Sequence, residues 1–308
     1  MSVRTHRVPL SDSPRSLDVR NPAGSTTVVA DPGAAEVLIE VQALNSIAEE
    51  CIDRLDLIVT RASLRLSVPD RRLLRTPSFA ITVTTPPDAD VTVNGASCDA
   101  ELRGRLRHVS MTSSSGDLAV EQCTELQARS ATGDVRAGRV ERSTDVANAS
   151  GDVRVEEAHG TVDVRTASGD VVVGSAATDV TAKTASGDIR VDRAASGRVR
   201  LVTVTGDATV GVAPGLRLWL DVQSVTGRMQ SELDDDGAEP TSGEVHLAVV
   251  LQSVSGDLRL RRAAGEAPPP PSAPTPPKAP IPPTPPTPPT PPAPPGMPAP
   301  PTAPWSRA

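Results

Sequence analysis

Aromatic side chains are nearly absent from this chain. Its 308 residues contain no tyrosine, one phenylalanine (Phe79) and two tryptophans (Trp219 and Trp305). That excludes a core built on rings, which elsewhere bury large areas each. Long apolar runs are missing too. Nothing approaches the roughly 18 residues that a membrane helix needs, and the opening MSVRTHRVPLSDSPRS lacks the apolar stretch of a signal peptide. Cys51, Cys98 and Cys123 are odd in number and follow no motif spacing, which argues against a disulfide framework. His6, His108, His159 and His246 are scattered, with no metal-ligand spacing among them. A formal charge of −7 argues against a nucleic-acid binder. Neither a phosphate-cradling loop nor a dinucleotide fingerprint occurs. From these absences we expect no metal, no cofactor, no nucleic-acid partner and no membrane span. The expected location is cytoplasmic, with the cell surface as the alternative.

Proline is abundant but confined. Of 32 prolines, 22 lie between residues 267 and 308, including the run IPPTPPTPPTPPAPP from Ile281 to Pro295. Proline has no amide donor and a fixed φ, so this stretch enters neither a sheet nor a helix interior. It reads as a disordered, polyproline-rich tail over 265–308 that would reach roughly 130 Å if fully extended. Its candidate role is a tether that docks protein partners. Thr284, Thr287 and Thr290, set between proline pairs, and the terminal Trp305 are its candidate contacts.

Between the ends one phrase recurs: SSSGDLAV, SATGDVRA, NASGDVRV, TASGDVVV, TASGDIRV, TVTGDATV, SVTGRMQS and SVSGDLRL. Its glycines are Gly116, Gly133, Gly151, Gly169, Gly187, Gly206, Gly227 and Gly256, spaced 17, 18, 18, 18, 19, 21 and 29 residues apart. One period upstream, Cys98 holds the glycine place of a degenerate ninth copy, GASCDAEL. A repeat variant is the favoured reading of Cys98 over a reactive thiol. The preceding position always carries a hydroxyl, and the following one is Asp in every copy except at Arg228. Ser, Gly and Asp together spell a turn.

Apolar residues alternate on both sides of that turn. Two places after it come Ala100, Leu118, Val135, Val153, Val171, Ile189, Ala208, Met229 and Leu258. Five places before it come Val93, Met111, Ala128, Val146, Val164, Ala182, Leu201, Val222 and Leu251. Period-2 alternation denotes half-buried strands. Two strands cannot bury their faces alone, so successive copies must stack. The predicted fold is all-β: a parallel β-solenoid of about nine 18-residue rungs over 89–264, roughly 40 Å long at the spacing of paired strands. Its narrow aliphatic interior has no need of rings and no room for a substrate pocket.

Residues 1–88 depart from the repeat and are expected to form a small β-rich cap with one helix near 46–55. Ser46 and Glu49 are its expected capping box, and Ile47, Ala48, Cys51, Ile52 and Leu55 its apolar stripe. At the far end, Arg259, Arg261 and Arg262 are expected to guard the exposed edge of the last rung. The oligomeric expectation is a monomer or a tail-to-tail dimer. Trp219, between inward-facing Leu218 and Leu220, should point outward and is a candidate contact. The Asp column is expected to be held by turn amides and by Arg136, Arg154, Arg190 and Arg259, in preference to bound cations. The acidic stretch Ser231 to Gly243 echoes a calcium loop but ends in glycine where the loop needs Glu, so it reads as a solvated insertion. Serine and aspartate are explained by turns, so no catalytic triad is assigned.

On its SGDVxV and TVDVRTASGDV phrases the chain resembles a bacterial family of putative adhesins, also described as a domain of unknown function. The resemblance covers about residues 15–262. It implies a β-solenoid preceded by an irregular β-rich part, and it carries over no catalytic residue. The functional expectation is a non-enzymatic intracellular scaffold or protein-interaction module. The alternative is a cell-surface adhesin exported by another route. A carbohydrate-active β-helix enzyme is disfavoured, because the aspartates fall one per rung instead of clustering.

Overall fold

The computed structural model describes residues 2–9, 15–60, 63–68, 76–233 and 246–263. The acidic stretch Ser231 to Gly243, expected to be a solvated insertion, falls mostly outside these residues, and the proline-rich tail wholly so. The strands are β1 (Val3–Pro9), β2 (Ser16–Arg20), β3 (Ala23–Ala30), β4 (Glu36–Ala43), β5 (Asp56–Val59), β6 (Ser63–Ser67), β7 (Phe79–Thr85) and β8 (Asp90–Asn94). The long β9 (Ser97–Ser115), β10 (Leu118–Thr132) and β11 (Val135–Ser150) follow, each bending from one rung into the next. Then come β12 (Val153–Ala158), β13 (Thr161–Ser168), β14 (Val171–Ala176), β15 (Val180–Ser186), β16 (Ile189–Ala194), β17 (Gly197–Thr205) and β18 (Ala208–Val212). The last are β19 (Leu218–Thr226), β20 (Met229–Ser231), β21 (Leu247–Ser255) and β22 (Leu258–Arg262). One helix, α1 (Ser46–Cys51), runs into a 3-10 turn at Ile52–Arg54.

The protein is a parallel β-solenoid. Equivalent residues stack rung on rung: Val153 on Val135, Val171 on Val153, Ile189 on Val171, Ala208 on Ile189. The apolar columns expected from the alternation are buried along the rod, with Val164, Val173 and Leu201 0% exposed, except on its last rung, where Met229 is exposed and Val222 only partly buried. A further buried column, seven places after most turns, closes the corner with small side chains: Cys123, Val140, Ala158, Ala176 and Ala194. Alternation alone did not reveal it, because the chain bends there and the period-2 phase resets.

The rungs do not stack in chain order at either end. Near the N-terminus, β2 and β3 form a complete rung lying between β6–β7 and β8–β9: Leu17 pairs with both Leu64 and Val91, and Gly24 with both Phe79 and Cys98. The sequence SLDVRNPAGSTTVV thus keeps the columns (Leu17, Val19, Thr26 and Val28, all 0% exposed) around Gly24 in the glycine place. Expected as part of a cap over 1–88, it is solenoid, as are β6 and β7. Among the described residues the glycine places, in spatial order, are Phe79, Gly24, Cys98, Gly116, Gly133, Gly151, Gly169, Gly187, Gly206, Gly256 and Gly227. Beyond the first of these, β4 and then β1 add antiparallel on one side and β5 adds antiparallel on the other. The helix packs Ala48 and Cys51 into the same core. Its N-cap is Asn45, one residue before the expected Ser46, and the Asn45 side chain accepts from the Ala48 amide at 2.8 Å.

The C-terminal end carries the same inversion. β21 and β22 slot between β17–β18 and β19–β20, so Leu247 pairs with both Gly197 and Leu218. The edge rung is therefore residues 218–231, and the expectation that Arg259, Arg261 and Arg262 guard the edge is corrected. Arg259 instead meets Asp207 at 3.2 Å and Arg261 meets Asp192 at 2.6 Å, along the side of the rod. The physical reason lies in composition. β21 reads LAVVLQSVS, apolar on both faces at its start, and takes the central place. β19 reads LWLDVQSVT, with Trp219 and Asp221 outward, and tolerates an edge.

Candidate functional site

The turn column is built from three interlocking ladders. Gly169 has φ +133°, and a Cβ there would lie 2.2 Å from the Gly151 carbonyl oxygen, so only glycine fits. Beside it each aspartate carboxylate accepts the backbone amide one rung on. Asp117 Oδ1 takes the Asp134 amide at 2.8 Å, Asp152 takes that of Asp170 at 2.9 Å, and Asp207 takes that of Asp257 at 2.8 Å. The last carboxylate, Asp257, accepts the Arg228 amide at 3.0 Å. Arg228, the exception in the aspartate column, therefore sits on the terminal rung, where an aspartate would have no further amide to accept. Of the arginines expected to hold the column, Arg136 reaches Asp134 at 2.7 Å and Arg259 reaches Asp207 and Asp257. Arg190 turns to Asp192 instead, at 2.6 Å, two residues along its own strand.

The third ladder escaped the sequence reading. Three places before the turn glycine stand small polar residues that are largely buried, Asn148, Thr166, Thr184 and Thr203 among them. They donate to main-chain carbonyls: Asn148 to Gly133 at 2.8 Å, Thr203 to Gly187 at 3.2 Å, and Asn21 to Phe79 at 3.1 Å. At the Cys98 rung this place is Gly95, whose added Cβ would lie 2.7 Å from Cys98 Cβ. Cys98 thus occupies space freed by a missing side chain, and it is fully buried with Sγ 3.3 Å from Thr26 Oγ1. Burial pushes its thiol pKa up, and the neighbouring Asp99 charge adds to that. Burial alone pushes the Cys123 thiol up to about 12. Both are protonated at neutral pH and poor nucleophiles.

With the interior filled, chemistry is left to the outer faces. Glu101, Ala119, Arg136 and Arg154 stand in register on adjacent strands. Ala119 is short between long neighbours, and Gly138 presses against the Glu121 carbonyl, where a Cβ would lie 2.4 Å away. The result is a groove of about 450 Å³ with an Ala119–Gly138 floor and walls that include Glu101, Arg103, Arg136, Arg154 and Glu156. Both signs of charge line it. Among the described residues no three His, Cys, Asp or Glu side chains converge as metal ligands, and no helix is long and apolar enough to cross a membrane.

Of the residues singled out from sequence, Trp219 lies on the terminal rung and is 50% exposed. The structure gathers Val225 (78% exposed) and Met229 (50%) on the same rung. Thr284, Thr287, Thr290 and Trp305 lie outside the described residues.

No curated protein matches the chain. Among solved structures it is similar to a putative adhesin from Bacteroides fragilis NCTC 9343, at 11% identity and a TM-score of 0.42 over 84% of this chain and 97% of that one. It is likewise similar to a putative lipid binding protein from Parabacteroides distasonis ATCC 8503, at 13% identity and a TM-score of 0.43 over 84% of this chain and 96% of that one. Residues 61–261 match the family model Toastrack DUF4097. With about two thirds of its length under that match, the chain belongs to the Toastrack DUF4097 family, the putative-adhesin family of unknown function that its SGD rungs resemble.

Proposed function

We propose that the protein is a non-enzymatic binding rod of the adhesive type, which engages a protein partner on its outer face. The observation that carries this reading is the groove over Ala119 and Gly138, whose walls offer both signs of charge, with Arg103, Arg136 and Arg154 flanked by Glu101 and Glu156. A mixed-charge wall beside a shallow apolar floor suits a protein surface, where charge pattern sets partner choice. Membership of a putative-adhesin family supports the adhesive form over the intracellular scaffold. The two readings share the same rod and differ in compartment.

The test has two arms. The purified full chain is immobilised and adherence of whole cells is measured for the native protein and for the Arg136→Glu/Arg154→Glu variant. Reversing two wall charges should lower adherence several-fold, while circular dichroism stays unchanged. Native cells are fractionated in parallel, and the chain should be found at the surface or outside. Adherence no better than a blank coating, together with recovery only from the cell interior, defeats the adhesive reading.

A further inference from the structure

We propose that the open C-terminal end of the rod pairs with the same end of a second copy, through antiparallel β19 strands related by a two-fold axis at Trp219. β19 is bonded to β21 on one side only, and among the described residues its other edge has no strand partner. Free strand edges are templates for another chain. The side chains that a further rung would cover, Leu216, Leu218, Leu220 and Val222, are only partly buried against the core.

The choice of a second copy rests on the strand itself. Residues 216–222 read L-R-L-W-L-D-V. In an antiparallel pair centred on Trp219, Leu218 meets Leu220 of the mate and Leu216 meets Val222, so every inward position is aliphatic on aliphatic. On the outward face Arg217 meets Asp221 twice, once on each side of facing tryptophans. Directly opposed unlike charges and opposed aromatic rings both favour a cross-strand pair. A strand that matches itself in reverse, in apolar pattern and in charge, is what a two-fold interface requires.

The other end of the molecule explains why assembly stops at two. There the outermost strands run antiparallel to their neighbours, and the exposed positions of β1 are Val3, Thr5, Arg7 and Pro9, with the charge and the proline at its end. A parallel rung offered by another copy finds neither matching direction nor matching columns, so head-to-tail growth is blocked and the dimer is closed.

Sedimentation equilibrium of the full chain, over a wide concentration range, tests this. The mass should rise from 31.9 kDa towards twice that value. Arg217→Asp alone or Asp221→Arg alone places like charges opposite each other and should weaken the dimer at least tenfold. Combining the two restores opposite charges and should recover the native dissociation constant. Thermal unfolding of each variant reports whether the rod is intact; Leu220→Lys, on the same edge, serves as a second disrupting change if either charge variant fails to fold. A chain that is monomeric throughout overturns the proposal and leaves the edge to a foreign strand. A dimer that no single change weakens, or that the double exchange does not restore, overturns it as well.

Discussion

Replacing Gly169 by alanine asks a backbone at φ +133° to accept a Cβ that lies 2.2 Å from the Gly151 carbonyl oxygen. Strained φ alone costs about 1–3 kcal/mol, and the clash adds to it. Gly215 is the internal control: its φ is +78°, but an added Cβ meets nothing within 4 Å. Denaturant midpoints should therefore fall much further for Gly169→Ala than for Gly215→Ala. The aspartate ladder gives a second comparison. Asp152→Ala removes the acceptor of the Asp170 amide and should cost about 1–2 kcal/mol, whereas Asp152→Asn keeps an oxygen in place and should cost less. The buried thiols set a pH response. The Cys123 pKa is raised from 9.0 to about 12 in the fold. A raised folded pKa means the contribution is complete below about pH 9 and is lost as pH climbs towards 12. Chemical unfolding measured from pH 8 to 11 should show this decline, and Cys123→Ala should flatten it.

At the scale of elements, strand position along the rod decides cost more than residue type. Leu251 on β21 is 1% exposed because β19 covers it, while Leu220 on β19 is only partly buried. Leu251→Ala should cost about 2–4 kcal/mol, within the range for emptied cores, and Leu220→Ala clearly less. Chain order alone would predict the reverse, since it places residues 247–262 last. The glycine spacings of 21 and 29 around Gly227 signalled an irregularity, but spacing does not say which copy lies outermost. The rung around Gly24 was legible in principle, for Leu17, Val19, Thr26 and Val28 keep the columns. It was missed because Ala23 and Ser25 replace the hydroxyl and the aspartate, and because β4, α1 and β5 separate it from the run. Asn45 displaced Ser46 as the helix cap because its amide oxygen lies within reach of the Ala48 amide.

For the whole molecule, the ends differ and the middle is uniform. Hydrogen exchange should be slow in β13 and β15, which are covered on both sides, and faster in β19 and β20, which among the described residues are bonded on one side only. If the two-fold pairing holds, raising the protein concentration should slow exchange in residues 216–222 and leave β13 unchanged. The groove at Ala119 belongs to this scale as well. It exists because one short side chain and one glycine fall on neighbouring rungs, and a period-2 pattern counts only the inward positions.

Sequence by itself determined the repeat, the parallel solenoid, the identity of the inward columns and the glycine–aspartate turn. Each of these follows from local rules: period-2 alternation, the need of glycine for positive φ, and the need of two-strand rungs to stack. Tertiary structure alone decided the order of the rungs. Every rung offers the same edge to its neighbours, so local pattern is equally satisfied by several orders. The choice falls to which strands are apolar enough for the centre and which linkers are long enough to skip a rung. That choice set Arg261 against Asp192 on the side of the rod, placed Arg228 at the end of the aspartate ladder, and left Trp219 on the edge strand.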